Sequence, residues 1–211
     1  MMPHPEPALL EIDGLVVHFT TRHGVVQGVR GVNLVVRPGE TLGIVGESGS
    51  GKSVTVQSVM GLINVPGEII SGDIRWKGRS LLGPGGRAYM ESVRGREITM
   101  VFQDPMTSLD PLFTIGAQIT EVLRHHMGMG RKQARARAGE LLALVDISAP
   151  EKRLDQYPHE LSGGMRQRAM IAMALACEPQ LLIADEPTTA LDVTIQAQIL
   201  ELLAGLQDRL K

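Results

Sequence analysis

The residues with the clearest chemical content are Gly46-Glu47-Ser48-Gly49-Ser50-Gly51-Lys52-Ser53, which fit the spacing G-x-x-x-x-G-K-[ST]. An apolar run, Thr41–Val45, precedes them, and a segment with helical patterning follows. Glycines let the backbone wrap closely with successive N–H groups turned inward, and the following helix brings its positive N-terminus to the same spot. The result is an anion cradle. In it Lys52 is a point charge for β- and γ-phosphates, and the Ser53 hydroxyl is a magnesium ligand. The bland alternative is a glycine-rich turn with an accidental lysine, which the strand-then-helix context disfavours.

Two further stretches carry chemistry. The apolar run "LLIAD" ends by delivering Asp185, followed at once by Glu186. Asp185 suits a magnesium-holding carboxylate, and a carboxylate beside it can polarise an attacking water. In "LSGGMRQRAMIAMALA", Ser162, Gly163 and Gly164 open a second helix. An ordinary Ser-capped helix accounts for that stretch taken alone. A single phosphate tail cannot occupy both helix starts unless they converge.

The elements that must position these groups follow from patterning. "LLEIDGLVVHFT" and "VVQGVRGVNLVV" read as two strands, "SGDIRWKG" and "EITMVFQ" as two more, and "TLGIV" as a short strand buried on both faces of a parallel sheet. From Leu112 to Ala176 glycine thins out and helical periodicity takes over, with Ala134, Ala138, Leu141, Leu142 and Val145 on one helix face. The opposite side carries Arg131, Lys132, Arg135 and Arg137; without interleaved aromatics it reads as a solvated face rather than a nucleic-acid patch. "PQLLIADE" returns to a buried strand, and Ile195, Ile199, Leu202, Leu203, Leu206 and Leu210 make one apolar face of the last helix. Strand–helix alternation interrupted by an all-helical block predicts an α/β protein with a parallel core and an inserted helical subdomain.

Bulk properties agree. The 211 residues are 43% hydrophobic and 3% aromatic, with a net charge of -2, so nothing pulls the chain globally toward nucleic acid or an anionic membrane. The single cysteine, Cys177, excludes an internal disulfide. The stretch "MMPHPEPALLEIDG" has no basic region followed by a long apolar run and is not expected to be a signal peptide, and no window approaches the roughly 18 apolar residues of a membrane span. A soluble cytoplasmic protein is the expectation.

Taken together, "GESGSGKS", "VFQDPMTSLDP", "YPHELSGGMRQR" and "LLIADEPTTALDVTIQAQI" resemble, in content and order, the ATPase subunits of ATP-binding cassette transporters. The likeness is strongest to the peptide/nickel importer branch, the dipeptide type above all, and runs from about Leu9 to the end. It implies a P-loop NTPase (RecA-like) parallel core with an N-terminal antiparallel β subdomain, formed by 1–104 and 178–211, and a helical subdomain over 105–177. It implies ATP and Mg2+ as cofactors, held by Gly46 to Ser53 with Asp185, and Glu186 as general base with Lys52 and Gln103 as its catalytic companions. Gln103 in "VFQDP" resembles the Q-loop glutamine that touches the metal and couples the site to the helical subdomain; alone it reads as a surface amide.

In such ATPases two subunits stack head to tail. By that resemblance Ser162, Gly163 and Gly164 reach the γ-phosphate held by the partner's copy of the phosphate loop, and Asp192 lies at the seam. Asp192 also reads as the N-cap of the last helix. Phe19 is the candidate aromatic for stacking on adenine, or else a strand core residue. The partners implied are transmembrane permease subunits, a second ATPase subunit (paralogue or identical copy) and, indirectly, an extracytoplasmic peptide-binding protein. No nucleic acid is implied, and the location is peripheral, on the cytoplasmic face of the inner membrane.

The family carries a switch histidine on a strand after the last helix seen here. All six histidines, His4, His18, His23, His125, His126 and His159, precede Glu186, and His159 reads as a local packing or capping residue. The missing strand would separate "TLGIV" from "LLIAD". Each buried orphan amide or carbonyl costs on the order of 1–3 kcal/mol against a total stability of roughly 5–15 kcal/mol. The chain is therefore expected to be part of a longer protein or a piece of a larger assembly, and feeble or no hydrolysis is expected of it alone. Two other readings stand beside peptide import: an importer ATPase for nickel or another small solute, and a non-transport ABC ATPase acting on nucleic acid or ribosomes. A non-hydrolysing regulatory subunit is disfavoured by Glu186.

Overall fold

A computed structural model describes residues 7–188 and 192–209. These residues fall into two compact units divided between Arg94 and Gly95.

The first unit is built on a four-stranded antiparallel sheet. Strands β1 (Leu10–Thr21) and β2 (Gly24–Val36) form a hairpin. Helix α1 (Lys52–Val59) follows, then β3 (Gly67–Trp76), the short β4 (Arg79–Ser80) and helix α2 (Gly86–Val93), and the sheet order is β2-β1-β3-β4. Alternation sorts the side chains. Leu10, Ile12, Leu15 and Val17 of β1 are buried together with Val29, Ile74 and Trp76, while Arg75 stays on the wet face between Glu11 at 3.2 Å and Asp73 at 3.0 Å. This is the expected N-terminal antiparallel β subdomain.

One expected strand is absent. Thr41–Val45 belongs to neither sheet, and Leu42, Ile44 and Val45 are 43%, 42% and 96% exposed. A continuously apolar run becomes a buried strand only with a ladder on each side. The described strands provide neither ladder to 41–45, so apolar content alone does not make it one.

The second unit pairs β5 (Ile98–Val101) with β6 (Leu181–Ala184) in parallel, from Ile98↔Leu181 to Val101↔Ala184. Between them run α3 (Pro105–Ser108), α4 (Ile115–Met127), α5 (Arg131–Leu144), α6 (Pro150–Leu154) and α7 (Gly163–Ala174); α8 (Val193–Arg209) follows β6. The predicted face of α5 is in the core: Ala134, Ala138, Leu141, Leu142 and Val145 are each at most 1% exposed. Its basic side is solvated and ion-paired, Arg135 with Asp155 at 2.8 Å and Arg137 with Glu178 at 2.9 Å. Ile199, Leu202 and Leu206 of α8 join the same core, and Ile195 and Leu203 pack against it; Leu210, expected on that face, lies outside the described residues. No helix of the described residues is long and apolar enough to cross a membrane.

Candidate functional site

In the first unit the phosphate-loop motif ends directly in α1. Gly51 stands at the helix start with φ +94°, a left-handed conformation that L side chains rarely adopt, and a β-carbon there would meet the carbonyl oxygen of Gly28. Gly49 is also left-handed, at φ +78°. The residue at the N-cap of α1 is itself a glycine, so no N-cap side chain stands over the helix start. Lys52 Nζ donates back to the carbonyls of Gly46 at 2.9 Å and Glu47 at 3.0 Å, which brings the ammonium over its own loop. A β-carbon on Gly46 would lie 2.7 Å from Ser50 Oγ, a side-chain atom that can turn aside. A glycine-rich turn, a positive helix end and a lysine over the loop are features a phosphate chain requires. Glu47 and Ser48 are exposed at the loop tip, and Ser53 is half-buried in the first turn of α1.

Phe19 lies in β1 opposite Val26 of β2 and Gly67 of β3. Its half-buried ring rests on two glycines: a β-carbon on Gly28 would come within 2.7 Å of Cε2, and one on Gly67 within 2.6 Å of Cε1. Gly28 therefore touches both the ring and, through its carbonyl, the Gly51 end of the phosphate loop. The signal for these glycines was present in the sequence, since glycine inside a strand marks a close approach; the residue approaching was not legible.

In the second unit, Asp185 and Glu186 leave the C-terminal end of β6. The Asp185 N–H donates to the Val101 carbonyl at 3.0 Å, continuing the ladder by one bond. Glu186 is left-handed at φ +46°, a conformation that costs a non-glycine residue about 1–2 kcal/mol. Gln103, two residues beyond the end of β5, donates from Nε2 to Glu186 Oε2 at 2.8 Å. Three sequence-predicted site residues thus emerge side by side from two paired strands. An amide and carboxylates offer hard oxygen donors of the kind Mg2+ selects.

Ser162 is the N-cap of α7, its Oγ accepting from the Met165 N–H at 3.3 Å, and Gly163 and Gly164 are the first helical residues. Asp192 caps α8: Oδ1 accepts from the Ile195 N–H at 3.0 Å. Ile195 then lies over the signature, since a β-carbon on Gly164 would be 3.0 Å from its Cγ2. His159 stacks on Tyr157 with ring centroids 5.6 Å apart, in the short turn Pro158–Glu160 before the signature, which fits the local packing role expected of it. Gln118 was not singled out from the sequence. It is 9% exposed on the apolar face of α4, and its side chain accepts from the Asp110 N–H and donates to the Asp110 and Phe113 carbonyls. A lone amide among Ile115, Ile119 and Leu123 was the available signal.

Comparison with known proteins adds an independent line. The model of the ABC transporter family matches residues 29–189, a span that contains the phosphate loop, Gln103, the signature, Asp185 and Glu186. The chain is 59% identical over 203 residues to the oligopeptide transport ATP-binding protein OppD of Bacillus subtilis, covering 96% of this chain and 56% of the relative. It is 52% identical over 202 residues to the dipeptide transport ATP-binding protein DppD of Escherichia coli, covering 96% and 62%. The chain thus spans about 56–62% of the length of these relatives. Among solved structures, the dimeric ATP-binding cassette MJ0796 in a post-hydrolysis state with ADP and Pi superposes with a TM-score of 0.82 at 28% identity, covering 95% of this chain and 83% of that one. CbiO1 of Clostridium perfringens, part of the transporter complex cbiONQ, superposes with a TM-score of 0.77 at 27% identity, covering 97% and 76%.

Proposed function

We propose, because this chain belongs to the ABC transporter family, that it is the ATP-binding and hydrolysing part of a subunit that powers import of di- or oligopeptides through separate membrane permeases. The observation that carries the nucleotide reading is the left-handed Gly51 opening α1 with Lys52 Nζ held over the carbonyls of Gly46 and Glu47. Peptide as the cargo, ahead of nickel or another small solute, is supported by the names of the relatives at 52–59% identity.

On this reading the amides of Gly46 to Ser53 bind and orient the phosphate tail, and Lys52 exchanges its two carbonyl partners for phosphate oxygens. Ser53, Asp185 and Gln103 would hold Mg2+, which when bound neutralises charge building on the transferred group. Glu186 accepts the proton of the attacking water, a role worth about 10²–10⁴ in rate. Phe19 supports the base. Ser162, Gly163 and Gly164 of a second subunit close over the tail, and Asp192 stands at that seam. The assembly works at the cytoplasmic face of the membrane, peripherally, with a peptide receptor on the far side.

Glu186→Gln in the full-length protein tests the reading. ATP binding should persist, a nucleotide-trapped dimer should accumulate, and turnover should fall at least about a hundredfold. Unchanged turnover would refute the assigned base, and failure to co-purify with permease subunits would refute the transport role.

A further inference from the structure

We propose that Gly28 is the positioning residue for Phe19: because it lacks a side chain, the ring lies down across β1 and the strands beside it, with one face open to a nucleobase. The proposal rests on the reading of Phe19 as the base-stacking aromatic and deepens it by naming what sets the ring's attitude.

The hairpin register places Gly28 beside the ring. β1 pairs Val17 with Val29 and then His18 with Gln27, so Gly28 is the residue left over at a register shift, where the strand bends. β1 runs between β2 and β3, and Gly67 of β3 is the direct partner of Phe19. The two ε carbons of the ring meet opposite flanks. Cε2 is 2.7 Å and Cδ2 3.1 Å from where a β-carbon on Gly28 would be, and Cε1 is 2.6 Å from where one on Gly67 would be. Side chains of a strand ordinarily stand roughly perpendicular to the sheet, which carries ring edges above the β-carbons of cross-strand neighbours. Contact of both ε edges at β-carbon height means that this ring is laid flat, over space that two β-carbons would otherwise fill.

The far side of Gly28 faces the phosphate loop. Its carbonyl oxygen stands against the point where a β-carbon on Gly51 would be, and Val29 Cγ2 is 3.6 Å from that point. A flat apolar surface and an anion cradle thus adjoin within one unit, the pair of surfaces that a nucleobase and its phosphate tail require.

The two glycines differ in what a methyl group would disturb. On Gly28 it would press on the movable ring, and the next atom, the Val17 carbonyl oxygen, is at an ordinary 3.6 Å. Gly28→Ala therefore displaces the ring and spares the backbone. On Gly67 it would also strike Ile63 Cγ2 at 2.7 Å and the Asn64 carbonyl oxygen at 3.0 Å, so Gly28 is the cleaner probe.

Equilibrium binding of ATP and of inorganic tripolyphosphate to the full-length protein tests the seat, since tripolyphosphate has the charged tail and no base. Phe19→Ala should weaken ATP by about five- to a hundredfold, the range for one base–aromatic stack. Gly28→Ala should weaken ATP by at least about fivefold, the low end of that range, leave tripolyphosphate unchanged, and add nothing in the Phe19→Ala background. If Phe19→Ala weakens ATP and Gly28→Ala does not, the seat is wrong and the base reading stands. If Phe19→Ala leaves ATP binding unchanged, the base reading fails and the seat falls with it. Equal losses of ATP and tripolyphosphate in Gly28→Ala would place the effect in the phosphate loop and overturn the seat. Thermal melting covers a variant that folds poorly: should Gly28→Ala melt low, removing the ring in the double variant should restore the melting temperature of Phe19→Ala, and a loss that persists without the ring overturns the contact.

Discussion

Ile195 stands over Gly164: its Cγ2 is 3.0 Å from where a β-carbon on that glycine would be, and its own N–H is held by the Asp192 carboxylate. The first turn of α7 and the first turn of α8 are thus packed on each other through one isoleucine. Gly164→Ala forces that side chain aside and should destabilise by about 1 kcal/mol, the low end of the range for overpacking. In an Ile195→Ala background the same substitution should be neutral or slightly stabilising, because alanine is the better helix former. Thermal unfolding of the four-protein cycle measures the difference; additive effects would mean the two residues do not press on each other.

Gly51 and Gly46 should respond differently to alanine. Gly51 combines φ +94° with a backbone carbonyl in the way, whereas Gly46 would meet only the movable hydroxyl of Ser50. Gly51→Ala should cost more than about 2 kcal/mol of stability, from left-handed strain plus a backbone shift. Gly46→Ala should leave folding nearly unchanged. Chemical denaturation of both variants, with binding of a fluorescent ATP analogue in parallel, checks the contrast; equal losses would refute it.

The sequence revealed elements whose signal is local and hid those that depend on a neighbour. The helical face of α5 was legible because Ala134, Ala138, Leu141, Leu142 and Val145 repeat at the helix period, and each is buried as expected. The phosphate loop was legible because its spacing is itself the geometry. Leu42 to Val45 misled, since an apolar run signals burial but cannot supply the ladder that burial requires. The ring of Phe19 lies on Gly28 only after register shifts in the hairpin, including one between Val17 and His18, and no spacing rule announces those. Asp192 had two readings; the cap is present, and it leaves the seam role to the dimer experiment.

Gln118→Leu should loosen the Asp110–Phe113 loop. The buried amide makes three bonds to that loop, and leucine of similar size replaces none of them. The loss should be about 2–4 kcal/mol, allowing on the order of 1–3 kcal/mol for each polar group that stays buried and unpaired and less for those that reach water. Faster exchange of the Leu112 and Phe113 amides with α5 unaffected is the expected signature; an unchanged unfolding midpoint would contradict it.

Burial lowers the affinity of His126 for its proton, and the neighbouring His125 and Arg96 act in the same direction. The folded protein therefore binds this proton less readily than the unfolded chain. The neutral imidazole's advantage is complete above the ordinary histidine pKa of about 6.5 and is lost as pH falls below it. His126→Gln should flatten that part of the stability profile. Melting temperatures from pH 8 to pH 5 on wild type and variant provide the check, and parallel curves would exclude the effect.

The left-handed turn at Glu186 also sets what selection must work against. Glycine would sit more comfortably on that backbone than the acid that occupies it. A library of variants screened only for abundance in the cell should drift toward glycine or asparagine at this position, while, on the proposed reading of Glu186 as the base, one screened for ATP turnover should return glutamate. The divergence between the two screens would show where the fold is kept from its own optimum by the work it does.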